Sequence, residues 1–189
     1  MTNIHQDLEA QIPRLRRYAR SLVRDISAAD DLVQDTLVRG LAKLHLWQRG
    51  TDLRAWLFTI LHNQHVNVVR RQVRIGTAVS VKDIALPGEL PNQEQGLELR
   101  DLDRALGQLP EGHRAVVLMV GLEGMAYADV AKVLGIPVGT VRSRLSRGRN
   151  ILRRLMTAER GKREVVVTRP RRHDAPPPTP PALALVLVA

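Results

Sequence analysis

A basic stretch between residues 138 and 154 carries the side chains with the clearest chemistry in this sequence. It contains six arginines and no acid. Arginine guanidinium groups bind guanine edges and phosphates alike, and hydroxyl groups can donate hydrogen bonds to either. The side chains predicted to point outward here are Thr140, Arg142, Ser143, Arg144, Arg147 and Arg149. This pattern indicates a DNA-binding surface.

Two short helical patterns must position these side chains, and Gly135-Ile136-Pro137 separates them. Gly135 supplies the open backbone angle of a sharp turn, and Pro137 is suited to a first helical position, where its missing N–H costs nothing. Helix, tight turn and basic helix are the arrangement that places side chains in a DNA major groove. The alternative is a helical hairpin with a solvated basic face. The agreement of glycine, proline and charge favours DNA binding.

Composition narrows the class of protein further. The net charge of +10 predicts an anionic partner, with nucleic acid first and an anionic membrane surface second. The absence of cysteine excludes disulfides, thiolate zinc sites and thiol nucleophiles. The polar N-terminus suggests no export signal, and the apolar run 182–189 is far shorter than the roughly 20 residues that span a bilayer. We therefore expect a soluble cytoplasmic protein that is not an enzyme, with no cofactor, no small-molecule substrate and no membrane partner.

Helical periodicity dominates the chain, and no segment shows a convincing two-residue alternation. The sequence therefore predicts an all-α protein with two small helical domains joined by a flexible linker. The first domain covers residues 1–74, and the second, a four-helix domain with the helix-turn-helix, covers 97–157. Glycines and prolines mark residues 75–96 as the linker. The basic, proline-rich residues 158–189 are predicted to be a disordered tail.

A cluster of aromatic residues marks the first domain. Three of the protein's five Phe, Trp and Tyr residues lie within twelve residues, namely Trp47, Trp56 and Phe58. An amide and two cations follow on the same helix: Asn63, Arg70 and Arg71. Aromatic faces with amides and cations can hold unstacked bases. For Trp56 and Phe58 ordinary core packing is favoured, whereas Trp47 adjoins a glycine-containing loop and is a candidate to receive a flipped base.

Two histidines, His62 and His65, are three residues apart on one predicted helix, a spacing that could suit a metal ion. No third ligand is evident nearby, and two histidines rarely make a metal site. We therefore expect no metal here, and polar surface positions or contact with the DNA backbone instead.

Four blocks of sequence resemble the extracytoplasmic-function group of bacterial alternative sigma factors, the two-domain branch of the housekeeping-sigma family. They are ADDLVQDTLVRGL (29–41), LRAWLFTILHNQHVNVVRR (53–71), LPEGHRAVVLMVGLEGMAYADVAKVLG (109–135) and PVGTVRSRLSRGRNIL (137–152). The blocks follow the family's order and spacing, and the match runs from about residue 8 to 156. The phrase GTDLRAWLFTILHN further looks like the branch that runs the general stress response in alphaproteobacteria.

The resemblance implies a subunit that acts only within RNA polymerase. An acidic helix would dock on the polymerase through Asp31, Gln34 and Asp35. The first domain would melt and read the promoter's minus-ten element through Trp47, Arg54, Asn63, Arg70 and Arg71. The second domain would read the minus-thirty-five element through Arg142, Ser143, Arg144 and Arg147.

The implied partners are core RNA polymerase, promoter DNA and an anti-sigma factor. The competing hypothesis is a free-standing transcriptional regulator with a helix-turn-helix. Such regulators usually carry a sensory or receiver domain with alternating strands and helices, and the N-terminal half of this chain lacks that pattern.

Overall fold

The computed structural model describes residues 4–23, 25–48, 50–75 and 93–168, with the backbone alone at 93–97 and 159–168. Throughout these residues the regular structure is helical, which confirms the predicted all-α class. The N-terminal part consists of α1 (Ile4–Glu9), α2 (Ile12–Val23), α3 (Ile26–Ala42), a 3₁₀ turn (Leu44–Leu46) and α4 (Leu53–Ile75). The C-terminal part consists of α5 (Gln93–Gly107), α6 (Glu111–Val117), a π-helical turn (Leu118–Leu122), α7 (Tyr127–Leu134) and α8 (Val138–Thr168).

The first domain is built on the packing of α3 against α2 and α4. Asp25 starts α3, because its side chain accepts a hydrogen bond from the backbone N–H of Ala28 at 2.6 Å. The Tyr18 and Phe58 rings lie 5.1 Å apart in the core, where both residues are fully buried. Phe58 is therefore a core residue, as predicted, and Trp56 is half-buried against the same core.

The second domain packs α5, α6 and α7 around α8, which confirms the predicted four-helix unit. Gly148 lies where α8 passes closest to α6. A Cβ atom added at this position would lie 2.7 Å from Val117 Cγ2, which is too close for any real contact. The close approach of the two helices explains why a glycine is placed inside a long helix, where it otherwise costs about 1 kcal/mol.

The helix ends differ from the predicted domain boundaries. The helix α8 continues to Thr168, so residues 158–168 are helical rather than part of a disordered tail. The helix α5 begins at Gln93, inside the predicted linker 75–96. The remainder of the predicted linker and tail, residues 76–92 and 169–189, lies outside the described residues.

The two domains pack against each other through α4 and α7, and through α2 and the π-helical turn. Their buried apolar side chains form one continuous cluster that runs from Leu8 in α1 to Leu145 in α8. Burial of apolar surface is the main stabilising term in folding, so this shared core holds the domains together. Among the described helices, none combines the length and hydropathy needed to cross a membrane.

Candidate nucleic-acid interface

The turn between α7 and α8 is closed by Gly135, whose backbone is left-handed with φ 62° and ψ 37°. Its N–H donates to the Lys132 carbonyl at 3.3 Å, and the Ile136 N–H donates to the Ala131 carbonyl at 3.0 Å. These two bonds are those of a Schellman motif, in which glycine avoids the penalty that a Cβ would bring. The predicted role of Gly135 is confirmed.

Pro137 lies one position earlier than predicted, immediately before α8 rather than at its first residue. Its carbonyl accepts hydrogen bonds from the backbone N–H groups of Thr140 and Val141, at 2.9 and 3.1 Å. The carbonyl of Pro137 therefore accepts the first backbone hydrogen bonds of α8. The proline ring also fixes the backbone φ angle where the chain enters the helix.

The buried sides of α7 and α8 face each other through Val130, Ala131, Val133, Val141 and Leu145. The opposite side of α8 is basic and open to solvent. Its exposed members are Arg142, Ser143, Arg147 and Arg149, whereas Thr140 and Arg144 are half-buried. The structure thus brings the six predicted residues together within the first twelve residues of one helix.

Arg144 differs from the exposed arginines because its guanidinium lies against the first turn of α6. A Cβ atom added at Gly112 would be 3.0 Å from Arg144 Nη1. Ser143 is exposed, and its hydroxyl donates to the Thr140 carbonyl at 3.0 Å. In this arrangement Arg142 and Arg147 are better placed than Arg144 to meet a DNA base edge.

In the first domain, Trp47 ends the 3₁₀ turn in an extended conformation and begins the loop to α4. The residue is half-buried, and its indole Nε1 has no hydrogen-bond partner among the described residues. Gly50 in this loop has φ 93°, and the Asp52 carboxylate caps α4 by accepting from the N–H groups of Arg54 and Ala55. The loop therefore positions Trp47 beside the start of α4.

The remaining predicted minus-ten residues lie on α4 in different surroundings. Asn63 and Arg70 are exposed and seven residues apart, so they share a face of the helix. Arg54 is half-buried, and its Nη1 donates to the Glu123 carbonyl of the second domain at 3.2 Å. Arg71 lies on another side, where it lines a groove between α3 and α4. The structure brings together Asn63 and Arg70 and sets Arg54 and Arg71 apart from them.

The predicted docking residues Asp31, Gln34 and Asp35 are exposed on α3. Asp31 and Asp35 line the groove that also contains Arg71, and its volume is about 350 Å³. The groove is mixed in character, because Leu32 and Val68 contribute apolar surface between the charged groups. Arg39 and Arg71 also line the groove, so two acids and two arginines surround its apolar strip.

The two histidines are not the surface residues that the sequence suggests. His65 is buried, and its Nε2 lies 3.4 Å from Glu111 Oε1 on α6. Burial lowers the pKa of His62 and that of His65 to about 4, despite the carboxylate beside His65. His65 is therefore neutral at pH 7, and its contact with Glu111 is not an ion pair. Within the described residues, no group of three or more His, Cys, Asp or Glu side chains could hold a metal ion.

Polar residues that the sequence does not predict join the two domains. Glu123 is buried and accepts a hydrogen bond from Arg17 Nε at 2.8 Å, which raises the pKa of the Arg17 guanidinium. Arg114 Nη1 donates to the Leu22 carbonyl, and its Nη2 donates to carbonyls at the end of α5. A signal was available for Glu123, since it is a single acid between two glycines in an apolar run.

Two family models match the chain, and they divide it as the structure does. The Sigma2 domain of PhyR matches residues 8–62, and Sigma-70 region 4 matches residues 99–152. Among curated proteins, the chain is similar to the ECF RNA polymerase sigma factor EcfG of Rhodopseudomonas palustris (strain TIE-1). The two are 38% identical over 157 residues, which cover 82% of this chain and 85% of that protein.

Two solved structures have a similar fold. One is the sigma factor RpoE of Bartonella quintana in complex with the anti-sigma factor NepR, with a TM-score of 0.71 and 36% identity over 82% of this chain and 96% of that chain. The other is CnrH in complex with the cytosolic domain of CnrY, with a TM-score of 0.63 and 28% identity over 82% of this chain and 87% of that chain.

Proposed function

We propose a division of promoter recognition between the two domains, on the premise that the chain belongs to the extracytoplasmic-function (ECF) RNA polymerase sigma factors. As a member of this family, the protein binds core RNA polymerase and directs promoter-specific transcription initiation. The family is not enzymatic. We infer that this chain likewise has no catalysis of its own and acts in the cytoplasm, where RNA polymerase works.

The second domain is proposed to read the minus-thirty-five element with α8. The observation that carries this proposal is the exposed basic side of a helix whose opposite side is buried in a helix-turn-helix. Arg142, Ser143 and Arg147 are exposed there and are proposed to contact base edges. Thr140, Arg144 and Arg149 flank them and are proposed to contact phosphates.

The first domain is proposed to melt and read the minus-ten element. Trp47 would stack on a flipped base, because its half-buried ring lies at the mouth of a loop and its Nε1 has no protein partner within the described chain. Asn63 and Arg70 share an exposed face of α4 and would hold neighbouring nucleotides. Arg54 and Arg71 lie apart from this pair and would contact phosphates farther along the same DNA.

The exposed acids of α3 are proposed to dock on the polymerase. Asp31 and Asp35 line a groove with two arginines and with apolar Leu32 and Val68, so a protein surface that carries both charged and apolar side chains fits it better than DNA does. Gln34 is exposed beside them and would add a hydrogen bond.

A protein antagonist is the proposed means of control. RpoE and CnrH are each solved in complex with a protein, the anti-sigma factor NepR and the cytosolic domain of CnrY, respectively. We propose that an anti-sigma factor binds this chain in the same way, and that its release starts transcription of stress-response genes.

The experiment that tests the proposed function is in vitro transcription with core RNA polymerase on a genomic fragment library, with the starts mapped. A shared upstream motif among the starts is expected. The charge reversal Asp35→Lys should reduce transcription about tenfold or more by weakening polymerase binding. Glu9→Lys is the matched control, because it reverses an exposed acid on α1 and should leave transcription unchanged.

Tight DNA binding by the isolated protein, without transcription from any fragment, would contradict the proposal. That outcome would favour a free-standing regulator instead. Equal losses of transcription for Asp35→Lys and Glu9→Lys would show that the acids of α3 have no specific role in polymerase docking.

A further inference from the structure

A buried carboxylate lies at the contact between the two domains. Glu123 follows the π-helical turn, and its side chain is 0% exposed. Its Oε1 accepts from Arg17 Nε, while its Oε2 is buried with no hydrogen-bond partner among the described residues. Arg17 comes from the other domain, and 52% of its side chain is exposed. One charge-assisted hydrogen bond therefore supports this buried charge.

Further polar contacts join the same surfaces. Arg54 Nη1 donates to the Glu123 carbonyl, and Arg17 Nη2 lies 3.5 Å from the Leu122 carbonyl. In the opposite direction, Arg114 of α6 donates to the Leu22 carbonyl at 3.2 Å. That carbonyl is near the C-terminus of α2, where a cation is favoured. Two arginines of the first domain thus hold the end of the π-helical turn.

The energetic balance of this contact depends on Arg17. A carboxylate removed from water is tolerated only when it is paired and hydrogen-bonded. When the domains separate, water can solvate both oxygens of Glu123. Loss of Arg17 would leave an unpaired charge in the closed arrangement alone, so it would shift the equilibrium toward separated domains.

The closed arrangement cannot serve both promoter elements at once, and this step rests on the proposed function. Elements centred about 25 base pairs apart are separated by about 85 Å at 3.4 Å per base pair. A globule of this chain length is only about 40 Å across. Residues 76–92 could span at most about 60 Å, which allows the domains to move apart. The free protein must therefore open before both domains contact a promoter.

We propose that Arg17 and Glu123 form a latch that, together with the shared apolar core, holds the two domains of the free protein closed. Opening the latch also releases Arg54 from the Glu123 carbonyl, so a predicted DNA contact becomes available. The latch keeps the free protein in an inactive arrangement. Binding to polymerase would break the latch, because polymerase must separate the two domains before both can contact a promoter.

The latch can be tested by measuring the distance between the domains in the full chain. The absence of cysteine allows two unique spin labels, at Ser27→Cys on α3 and Ser146→Cys on α8, both exposed positions. Double electron-electron resonance on the parent protein should give one narrow distance distribution. Arg17→Ala should raise the ratio of open to closed molecules by at least about tenfold, seen as a longer and broader distribution.

The matched control is Arg16→Ala. Arg16 lies on the same helix and is similarly exposed, but its hydrogen bond goes to Asp30 within the first domain. The Arg16→Ala variant should leave the distances between the two spin labels unchanged. The double variant Arg17→Ala/Glu123→Gln should close again in part, because a neutral amide needs no charged partner. Circular dichroism checks folding, and Arg17→Lys supplies a milder variant with an intermediate effect.

Unchanged distances in Arg17→Ala, or a parent protein that is already open, would overturn the latch. Transcription with core polymerase separates this failure from failure of the proposed function. If the latch is correct, Arg17→Ala should need less protein than the parent for half-maximal transcription. If distances respond as expected but no variant supports transcription, the latch stands and the proposed function fails.

Discussion

The helices α4 and α8 are both proposed to contact promoter DNA, but they differ in what else they contact. One side of α8 packs on α6 and α7, and its basic side is exposed. In contrast, α4 packs on the first-domain core and on α7 of the second domain. Arg54 at its start is bonded to the second domain, and only Asn63 and Arg70 remain together on an open face.

This difference separates two kinds of DNA-binding surface. The surface on α8 is complete within one domain, so it requires no change of arrangement before DNA binds. The surface on α4 becomes complete only when the domains part. We therefore expect recognition of the upstream element to tolerate the closed form, and melting of the downstream element to require the open form.

The largest expected effect comes from disrupting the packing of α8 against α6. Gly148→Val would place side-chain atoms where Val117 already lies, and overpacking of this kind costs about 3 kcal/mol of unfolding free energy. Urea denaturation followed by circular dichroism measures the change.

Gly139→Val is the matched control for this substitution. Gly139 lies in the first turn of the same helix, and an added Cβ would meet no atom within 4 Å. Its effect should stay within about 1 kcal/mol. Equal losses at both glycines would show that helix propensity, rather than the approach of α8 to α6, sets the cost.

A second prediction concerns the burial of α4 against the second domain. His65 faces Glu111 and Arg114 of α6, with His62 one turn earlier on α4, and burial holds the pKa of His65 at about 4. The unfolded chain, with the ordinary pKa near 6.5, takes up protons first as the pH falls. The contribution of neutral His65 to the free energy of unfolding is therefore fully present above about pH 6.5 and is lost as the pH falls toward 4. For His65 alone this amounts to about 2 kcal/mol between pH 7 and pH 5.

Urea denaturation at several pH values measures this dependence. His65→Gln should remove about half of this dependence between pH 7 and pH 5, because the pKa of His62 is similarly lowered, whereas the exposed His5→Gln should leave it unchanged. A pH dependence that is unchanged in His65→Gln and lost in His62→Gln would assign the whole effect to His62.

The parts of the fold that could be predicted depend on neighbours in the sequence. The turn at Gly135 is closed by hydrogen bonds from Gly135 to Lys132 and from Ile136 to Ala131, all within six consecutive residues, so the local pattern was sufficient. The start of α8 is also set by local hydrogen bonds, and the predicted first residue, Pro137, differs from the observed one, Val138, by one position. The outward direction predicted for the side chains of α8 is confirmed by the exposure of Arg142, Ser143, Arg147 and Arg149.

The parts that could not be predicted depend on contacts between domains. Glu123 meets Arg17 across 106 positions of sequence, and His65 is buried by α6 rather than by its own domain. His65 looks like a surface residue when only its own domain is considered, and the apolar run around Glu123 gives no indication of its partner. The helical state of residues 158–168 was also missed, because their high charge resembles that of a disordered segment.

The smallest expected effect distinguishes two arginines within α8 itself. Arg142 is exposed, whereas Arg144 lies against Gly112 of α6. With the polymerase holoenzyme, Arg142→Ala should weaken binding to the cognate upstream duplex about tenfold, or about 1.4 kcal/mol, and spare a scrambled duplex. Arg144→Ala should cause only a few-fold loss, equal on both duplexes, because a phosphate contact carries no sequence information. Competition binding with the two duplexes measures both. A larger, sequence-specific loss for Arg144→Ala would mean that its guanidinium leaves α6 to read a base, and the accessible surface of α8 would then also change on binding.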